Sequence, residues 1–363
     1  MRKLTLLLLF FISLTTFATY AQKTATYSSK AAAYFKKGDY NKTITNLTLV
    51  LKINPKDVKA LANRALCYEI LYKFDLALKD NLELLKYEKS GAVNGSVGNN
   101  YLWLDKYDDA RVYLKQAIAL EPDEISHRYN LALSYQYQKN YEQAINLYDE
   151  ALNMAPNHKP SKVSKVRCLL YTNQTEKATA IIDTFFAAKN FDVEMLVIRA
   201  DLEKQDNKLS EAFQDYGRAL AILPEDTEIL NKYLKCLHEL GMNEEEIEVR
   251  KREIEVFNKI NESDFNKANS YALLAIAQED SYHLKEALEN YNQSLKLDPT
   301  GGGEGGIYYL RSILKAKLKD YEGACEDLAK TKEMDPGNDE ELDQYFLDDE
   351  MFADFVKYCM PEV

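Results

Sequence analysis

Apolar and small residues recur along the chain at the spacing of paired amphipathic helices. Within residues 125–158, Ala132 and Tyr135 fall on a first helix, and Ala144 falls on a second helix that follows a polar turn. Residues three or four positions apart share one face of a helix. Pro156 comes after the second helix and cannot continue it. The segment therefore predicts two short helices joined by a tight turn.

The same arrangement repeats with a period of about 34 residues, the step from Pro122 to Pro156. Two helices approach to about 8–10 Å only where the side chains at their crossing are small. The small positions are Ala31, Ala65, Gly98, Ala132, Ala200, Ala275 and Ser312 in the first helices, and Thr43, Ala77, Ala110, Ala144, Ala178, Ala212, Ala287 and Ala324 in the second. They predict nine helical pairs that begin near residues 24, 58, 91, 125, 159, 193, 227, 268 and 305.

These pairs resemble tetratricopeptide repeats, which carry the same small residues, an aromatic residue after the turn and a closing proline. The resemblance covers roughly residues 24–338 and implies an all-α fold, a right-handed α-solenoid of about nine helix-turn-helix repeats. The seventh copy departs from the pattern, because Leu234, Glu246 and Glu253 stand where small residues are expected. We therefore expect its two helices to be splayed.

Irregular spacing suggests how the repeats are grouped. Pro224 and Pro299 are 75 residues apart, seven more than two periods, which predicts a hinge, an irregular linker or a long helix end at 259–267. The expected domains are thus an N-terminal array of about seven repeats at 22–258 and a repeat pair at 268–338. Residues 339–363 are expected to form an acidic capping helix and tail, with Leu342, Phe346, Phe352 and Phe355 covering the last repeat.

Residues 1–21 read as a secretory signal peptide. Arg2 and Lys3 precede the apolar run Leu4–Phe17, which is too short to span a bilayer, and Ala21 gives a small residue for cleavage. The nearest cysteine is Cys67, so no lipid attachment is expected at the cleavage site. The chain is predicted to be exported from a bacterial cell to the periplasm or the medium, without a stable membrane anchor, and it could associate peripherally with the envelope.

Composition excludes several classes of function. The net charge of −12 argues against binding to a nucleic-acid backbone. The four histidines fall in four different repeats and are expected to be solvated, and no catalytic or metal-ligating motif occurs. We expect no cofactor, no metal and no enzymatic activity. The Gly301–Gly306 segment is expected to be a flexible loop, and residues 244–253 are expected to form ion pairs within a solvent-exposed helix face.

The five cysteines are too far apart for a disulfide framework. Cys67, Cys168 and Cys236 lie on apolar helix faces and are expected to be buried free thiols. Whether Cys325 and Cys359 pair is left open.

The family resemblance implies a concave groove lined by fixed positions of the first helices. Some relatives grip a carboxylate there with basic side chains. In this chain those positions hold Ala92 and Ser96, or Pro160 and Ser164 in another register, so that clamp is not expected. The rings at the groove positions either line a peptide-binding groove or pack between neighbouring helices. The groove positions are Phe35, Leu66, Ile70, Asn99, Trp103, Tyr129, Leu133, Tyr137, Arg167 and Tyr171.

The sequence favours a non-enzymatic scaffold that binds a protein or an extended peptide in this groove. One alternative is a structural factor in cell-envelope assembly, and another is a carboxylate-dependent hydrolase. The partner's identity and the oligomeric state are not specified by these patterns.

Overall fold

The computed structural model describes residues 20–302, 305–335, 344, 346–347 and 350–359. Within this part of the chain every regular element is a helix, which confirms the all-α prediction. The predicted signal peptide lies outside the described residues except for Tyr20 and Ala21, which begin the first helix. None of the described helices combines the length and apolar character needed to cross a membrane.

The chain forms two compact units that divide between Lys189 and Asn190. The first unit contains five helical hairpins, and each hairpin packs against the next. Its helices are α1 (20–36), α2 (Tyr40–Ile53), α3 (Val58–Ile70), α4 (Phe74–Leu84), α5 (Gly91–Trp103), α6 (Tyr107–Leu120), α7 (Ile125–Tyr137), α8 (Tyr141–Met154), α9 (Lys159–Tyr171) and α10 (Thr175–Ala187).

The second unit contains four further hairpins and a short C-terminal helix. Its helices are α11 (Val193–Gln205), α12 (Leu209–Ile222), α13 (Thr227–Glu239), α14 (Asn243–Lys259), α15 (Asp264–Asp280), α16 (Leu284–Leu297), α17 (Gly306–Lys317), α18 (Tyr321–Met334) and α19 (Ala353–Cys359), with a 3₁₀ turn at Glu350–Phe352.

The small residues predicted at the helix crossings lie in the core of each hairpin. Every alanine of that set is at most 2% exposed, and Gly98 is buried as well. The nine hairpins found in the described residues begin close to the nine predicted starting points. Close packing of small residues therefore accounts for the repeated hairpin in both units.

The turn inside each hairpin contains one residue in the left-handed conformation. These residues are Gly38, Tyr72, Asp105, Lys139, Asn173, Asn207, Gly241, Tyr282 and Lys319, with φ between 56° and 72°. The residue that follows donates its N–H to a carbonyl in the last turn of the first helix, as from Asn140 to Tyr135 at 2.9 Å. This is the bond that closes a Schellman turn, and it satisfies carbonyls that the helix end leaves unpaired. Only two of the nine positions use glycine, which adopts this conformation without steric cost.

The prediction of a solvent-exposed ion-paired face in α14 is confirmed for the exposed pair Glu248–Lys251 but is wrong for Glu246, Arg250 and Glu253. Glu246, Arg250 and Glu253 are 2%, 5% and 4% exposed, and Arg250 bonds to Glu246 at 3.2 Å and to Glu253 at 3.1 Å. The pairs are intrahelical, as expected. They lie inside the hairpin because this copy carries charged side chains at positions that alanine fills elsewhere.

The seven surplus residues between the sixth and eighth copies extend two helices. Both α14 and α15 are 17 residues long, and a four-residue turn at 260–263 joins them. Of the three alternatives drawn from the sequence, a hinge, an irregular linker or a long helix end, the long helix end describes the residues of this region.

In the glycine-rich segment, Gly301, Gly302 and Gly305 have positive φ, which glycine readily permits. The remaining residues between them, 303–304, lie outside the described part of the chain.

The C-terminal segment covers the last hairpin. Phe346, Phe352 and Phe355 are at most 1% exposed and pack with Ile313 and Leu328. Cys325 and Cys359 form a disulfide with a Cα–Cα distance of 5.6 Å, which answers the pairing that the sequence left open. The cap is a 3₁₀ turn followed by α19 in its described part, and the predicted contact of Leu342 lies outside the described residues.

Candidate functional site

The ten predicted groove positions all lie on first helices of the first unit, namely α1, α3, α5, α7 and α9. Asn99, Tyr129 and Arg167 are half-buried, and Leu133 is 9% exposed, so Leu133 offers little surface to a ligand. The remaining six side chains are exposed: Phe35 by 36%, Leu66 by 42%, Ile70 by 37%, Trp103 by 51%, Tyr137 by 43% and Tyr171 by 61%.

Three of the exposed rings pack against aromatic residues of the preceding repeat, two of them stacked and one tilted, and we call these six rings the aromatic ladder. The pairs are Phe74 with Trp103 (centroids 5.6 Å apart, interplanar angle 12°), Tyr107 with Tyr137 (5.9 Å, 42°) and Tyr141 with Tyr171 (4.9 Å, 14°). Each ring therefore packs between repeats and still presents surface to solvent. Packing between neighbouring helices is therefore confirmed for these rings, and the peptide-binding groove stays a prediction.

The position of the aromatic ladder follows from the repeat. Trp103, Tyr137 and Tyr171 are each the last residue of a first helix and are 34 residues apart. Their aromatic partners are each the first residue of a second helix. The ladder therefore runs along the edge formed by the turns of neighbouring hairpins. Its rings provide a large contact area and, in the tyrosines, a hydroxyl for hydrogen bonding.

An apolar cavity of about 350 Å³ lies where the first two repeats meet. It is lined by Ala31, Phe35 and Leu47 of the first hairpin and by Ala60 and Asn63 of α3. Small residues on both helices leave this space open, and it accommodates a side chain of modest size.

A second cavity, of about 370 Å³, lies between α5 and α7, and we call it the polar cavity. Neither lysine nor arginine contributes to its lining. The lining residues are Ala92, Gly95, Ser96, Asn99, Glu121, Glu124, Ser126, His127 and Asn130.

Glu121 organises the polar cavity from the end of α6. One of its carboxylate oxygens accepts the backbone N–H of Ala92 at 3.0 Å, and the other lies 3.4 Å from Nε2 of His127. The His127 ring lies so close to α5 that position 95 must be glycine, since a Cβ on Gly95 would lie 2.4 Å from the ring. Glu124 accepts the N–H of Ser126 at 3.1 Å, and hydrogen bonding from Ser126 holds the pKa of Glu124 below its ordinary value.

The expectation that all four histidines are solvated was wrong for His127. Its ring is buried against Gly95, with 5% exposure. His158 is half-buried at the start of α9, where burial lowers its pKa. His238 and His283 are exposed, as predicted. Within the described residues, no three His, Cys, Asp or Glu side chains are arranged to hold a metal ion.

The three unpaired cysteines are buried, as predicted. Burial raises the pKa of Cys67 to about 11 and that of Cys168 to about 12, so both remain protonated thiols at neutral pH. A protonated thiol is a poor nucleophile.

Sequence reasoning missed an ion pair that links the two helices of several hairpins. The guanidinium of Arg64 binds Asp80 through two bonds of 2.7 Å, and Arg311 binds Asp327 through bonds of 2.7 and 2.6 Å. Arg199 and Asp215 form the same pair at the same separation of 16 residues. The signal was present in the sequence as an arginine and an aspartate at one fixed offset.

A hydrogen-bonded triad beside the groove was also missed. Nδ2 of Asn100 donates to Glu69 at 2.7 Å, while Nδ2 of Asn81 lies 3.1 Å from Glu69 and 3.0 Å from Asn100. Burial raises the pKa of Glu69 despite these bonds. The triad ties the second repeat to the third, and nothing in the local pattern around Glu69 indicates it.

Comparison with known proteins agrees with the geometry of the hairpins. Tetratricopeptide repeat models match residues 24–57, 90–157 and 135–197. Residues 24–57 and 90–197 carry tetratricopeptide repeats. These matches lie in the first unit and at the start of the second, and they include the helices that carry the polar cavity and the rings of the aromatic ladder other than Phe74.

Several curated proteins are similar to this chain. A DnaJ homolog subfamily C member 7 homolog of Dictyostelium discoideum is 22% identical over 85% of this chain and 61% of its own length. Hsp70-Hsp90 organizing protein 1 of Glycine max is 26% identical over 73% of this chain and 40% of its own length. The chain thus spans about 60% or less of the length of these two relatives.

Solved structures with similar repeats include PilW, a type IV pilus biogenesis factor, with a TM-score of 0.49 and 18% identity over 55% of this chain and 94% of that chain. Pseudomonas aeruginosa PilF has a TM-score of 0.48 and 18% identity over 61% of this chain and 99% of that chain.

Proposed function

We propose that this protein is an exported, non-enzymatic scaffold that binds an extended segment of a partner protein in the groove of its first unit. The observation that carries the proposal is the aromatic ladder, in which Trp103, Tyr137 and Tyr171 expose ring surface at regular intervals. Aromatic side chains supply much of the binding energy at protein interfaces because they bury a large area and lose little conformational entropy. The apolar cavity beside Phe35 extends the same groove toward the first repeat.

The groove differs from a carboxylate clamp in its charge. One of the relatives is named as an organizing protein for Hsp70 and Hsp90. In this chain Ala92 and Ser96 stand at the positions where the clamp has basic residues, and the nearby charges are the carboxylates of Glu121 and Glu124. We therefore propose a partner other than a chaperone C-terminus.

The groove is tested by affinity capture from an envelope extract with wild-type protein and the Trp103→Ala/Tyr137→Ala variant. The proposal predicts that at least one partner is lost from the variant. A matched control, Tyr87→Ala/Phe265→Ala, removes two exposed rings outside the aromatic ladder and is expected to retain that partner. If the groove variant and wild type capture the same proteins, the groove assignment is wrong.

Export to the periplasm or medium of a bacterial cell is the second part of the proposal. The positive and apolar pattern of residues 1–21 supports it, and so does the Cys325–Cys359 disulfide, because disulfides persist mainly in oxidising compartments. Expression of the full chain in a bacterial host should yield a processed protein that begins at Gln22 in the periplasm or medium. The Leu7→Arg/Leu9→Arg variant interrupts the apolar run and should keep Met1 and stay in the cytoplasm. Cytoplasmic, unprocessed wild-type protein would contradict export.

A further inference from the structure

We propose that the aromatic ladder binds a proline-rich segment of the partner in the polyproline II conformation, with one proline against each of Trp103, Tyr137 and Tyr171. This inference rests on the proposed function, since it specifies the chemistry and the conformation of the segment in the groove. It is carried by the spacing of the three exposed rings and by hydrogen-bond donors that the fold leaves unused.

The spacing of the exposed rings is set by the packing of neighbouring first helices. Each ring is on the last residue of its helix, and α5 packs directly on α7 as α7 does on α9. Packed helices lie about 8–10 Å apart, so the two steps from Trp103 to Tyr171 span about 16–20 Å. The equivalent residues of α3 and α11 are Ile70 and Gln205, so the series contains three rings at nearly equal steps.

Each of the three rings has surface left for a ligand. Stacking on Phe74 and Tyr141 covers one side of Trp103 and Tyr171, and both residues are still more than half exposed. Tyr137 is exposed to nearly the same extent. The surface that remains open is aromatic and uncharged, which suits an apolar side chain of the ligand.

This spacing distinguishes between two extended backbone conformations. Polyproline II has three residues per turn and rises about 3.1 Å per residue, so every third side chain returns to the same face, about 9 Å along. A β-strand returns a side chain to the same face every second residue, about 7 Å along, which does not match the rings. A seven-residue polyproline II segment spans about 19 Å and places its first, fourth and seventh residues at the three rings.

The polar atoms of the exposed rings favour a segment rich in proline. Within the part of the chain that the structure describes, neither the indole N–H of Trp103 nor the hydroxyls of Tyr137 and Tyr171 form a hydrogen bond. The indole N–H can only donate, and a phenol hydroxyl also donates. A proline-rich polyproline II segment presents unbonded carbonyl oxygens and lacks the N–H groups that would compete for them.

The unused donors also argue against a helical ligand. An α-helix returns a side chain to the same face after seven residues, about 10 Å along, which matches the rings equally well. Its carbonyl oxygens are already bonded within the helix, so they would leave the donors of Trp103, Tyr137 and Tyr171 without acceptors. Polyproline II is also preformed in proline-rich chains, which lowers the entropic cost of binding.

The inference is tested by the binding of fluorescein-labelled decaproline to the full chain in fluorescence anisotropy. Wild-type protein should bind it saturably, with a Kd below about 1 mM, and unlabelled decaproline should change the fluorescence of Trp103, the single tryptophan of the chain. The Trp103→Ala/Tyr137→Ala variant should bind at least about tenfold more weakly, because two of the three rings are removed. The control variant Tyr87→Ala/Phe265→Ala should bind as wild type does.

Tyr137→Phe separates the hydrogen bond from ring packing. This variant keeps the ring and loses one donor, so decaproline should bind it about fivefold more weakly. Tyr87→Phe removes an exposed hydroxyl outside the aromatic ladder and should leave the affinity unchanged. Unchanged affinity in Tyr137→Phe would overturn the choice of polyproline II, which depends on the unused donors.

Two decapeptides of four prolines and six serines test the spacing. Prolines at every third position should give about fivefold tighter binding than prolines at every second position, because the second peptide places fewer prolines at the rings. Equal affinity for the two peptides would overturn the inferred spacing. Decaproline binding that is unaffected by Trp103→Ala/Tyr137→Ala would occur elsewhere on the chain and would overturn the site.

The outcomes distinguish this inference from the proposed function. If decaproline does not bind, but Trp103→Ala/Tyr137→Ala still loses a captured partner, the preference for proline is wrong and the groove stands. If decaproline does not bind and the variant captures the same proteins as wild type, both the inference and the groove are wrong.

Discussion

Replacement of Gly98 by alanine should destabilise the first unit, although glycine is a poor helix former. Gly98 lies in the middle of α5, where it faces α6. A Cβ at this position would lie 2.6 Å from Cγ of Leu114 and 3.2 Å from the carbonyl oxygen of Ala110. Leu114 is fully buried and α6 is held by the next hairpin, so neither neighbour can move away freely.

Two opposing effects set the magnitude of this change. Alanine gains about 1 kcal/mol over glycine from helix propensity. Overpacking a closely packed core costs about 1–3 kcal/mol, and the backbone oxygen of Ala110 places this site toward the upper end. The expected result is a net loss of about 1–2 kcal/mol, or a fall in Tm of about 2–8 °C for a unit of this size.

The loss is measured by urea denaturation followed through the fluorescence of Trp103, the single tryptophan of the chain, which lies at the end of the same helix. Gly306→Ala in the second unit serves as the control and is followed by far-UV circular dichroism, because a Cβ at this helical position meets nothing within 4 Å, and it should be neutral or stabilising. If Gly98→Ala raised the midpoint as the control does, the close approach of α5 and α6 would not be the reason for glycine, and the reasoning would fail.

Three further predictions concern stability. Tyr282→Gly should stabilise the chain by about 0.5–1 kcal/mol in thermal denaturation, because Tyr282 has a φ of 62° and an 86% exposed side chain, and unchanged stability would show that the turn is unstrained. Asp80→Ala should cost about 2–4 kcal/mol in urea denaturation, because it leaves Arg64 partly buried without its partner, whereas Glu83→Gln at an exposed pair should leave the midpoint nearly unchanged. Glu69→Gln should be more stable than wild type at pH 7, because burial raises the pKa of Glu69 and makes its ionised form unfavourable in the folded state. That advantage should shrink as the pH falls and wild-type Glu69 takes up a proton, and denaturation midpoints that differ equally at pH 7 and pH 4 would contradict it.

Several residues that matter for the candidate site were within reach of sequence reasoning. Trp103, Tyr137 and Tyr171 were placed on one face of the first helices because the family positions recur every 34 residues. The Arg64–Asp80 offset could have been found in the same way, since it returns in two other repeats. Both signals are local or periodic, and a period is visible in a single sequence.

Other residues could not be placed from the sequence because their environment is made by a different repeat. His127 is buried against Gly95, 32 residues earlier, because glycine has no side chain to occupy the space that the His127 ring fills. Glu121 reaches the start of α5, 29 residues before it. Charged residues in α14 look solvent-exposed by composition, but Glu246 lies at a helix crossing.

The sequence by itself determined the hairpins, their number and their period, because small residues, turns and prolines act within one repeat. The tertiary structure decided how one repeat meets the next: which ring surfaces remain open in the aromatic ladder, which carboxylates surround the polar cavity, and that Cys325 reaches Cys359. The physical reason is that helix formation depends on neighbours in the chain, whereas a binding surface depends on contacts between helices that the local pattern does not specify.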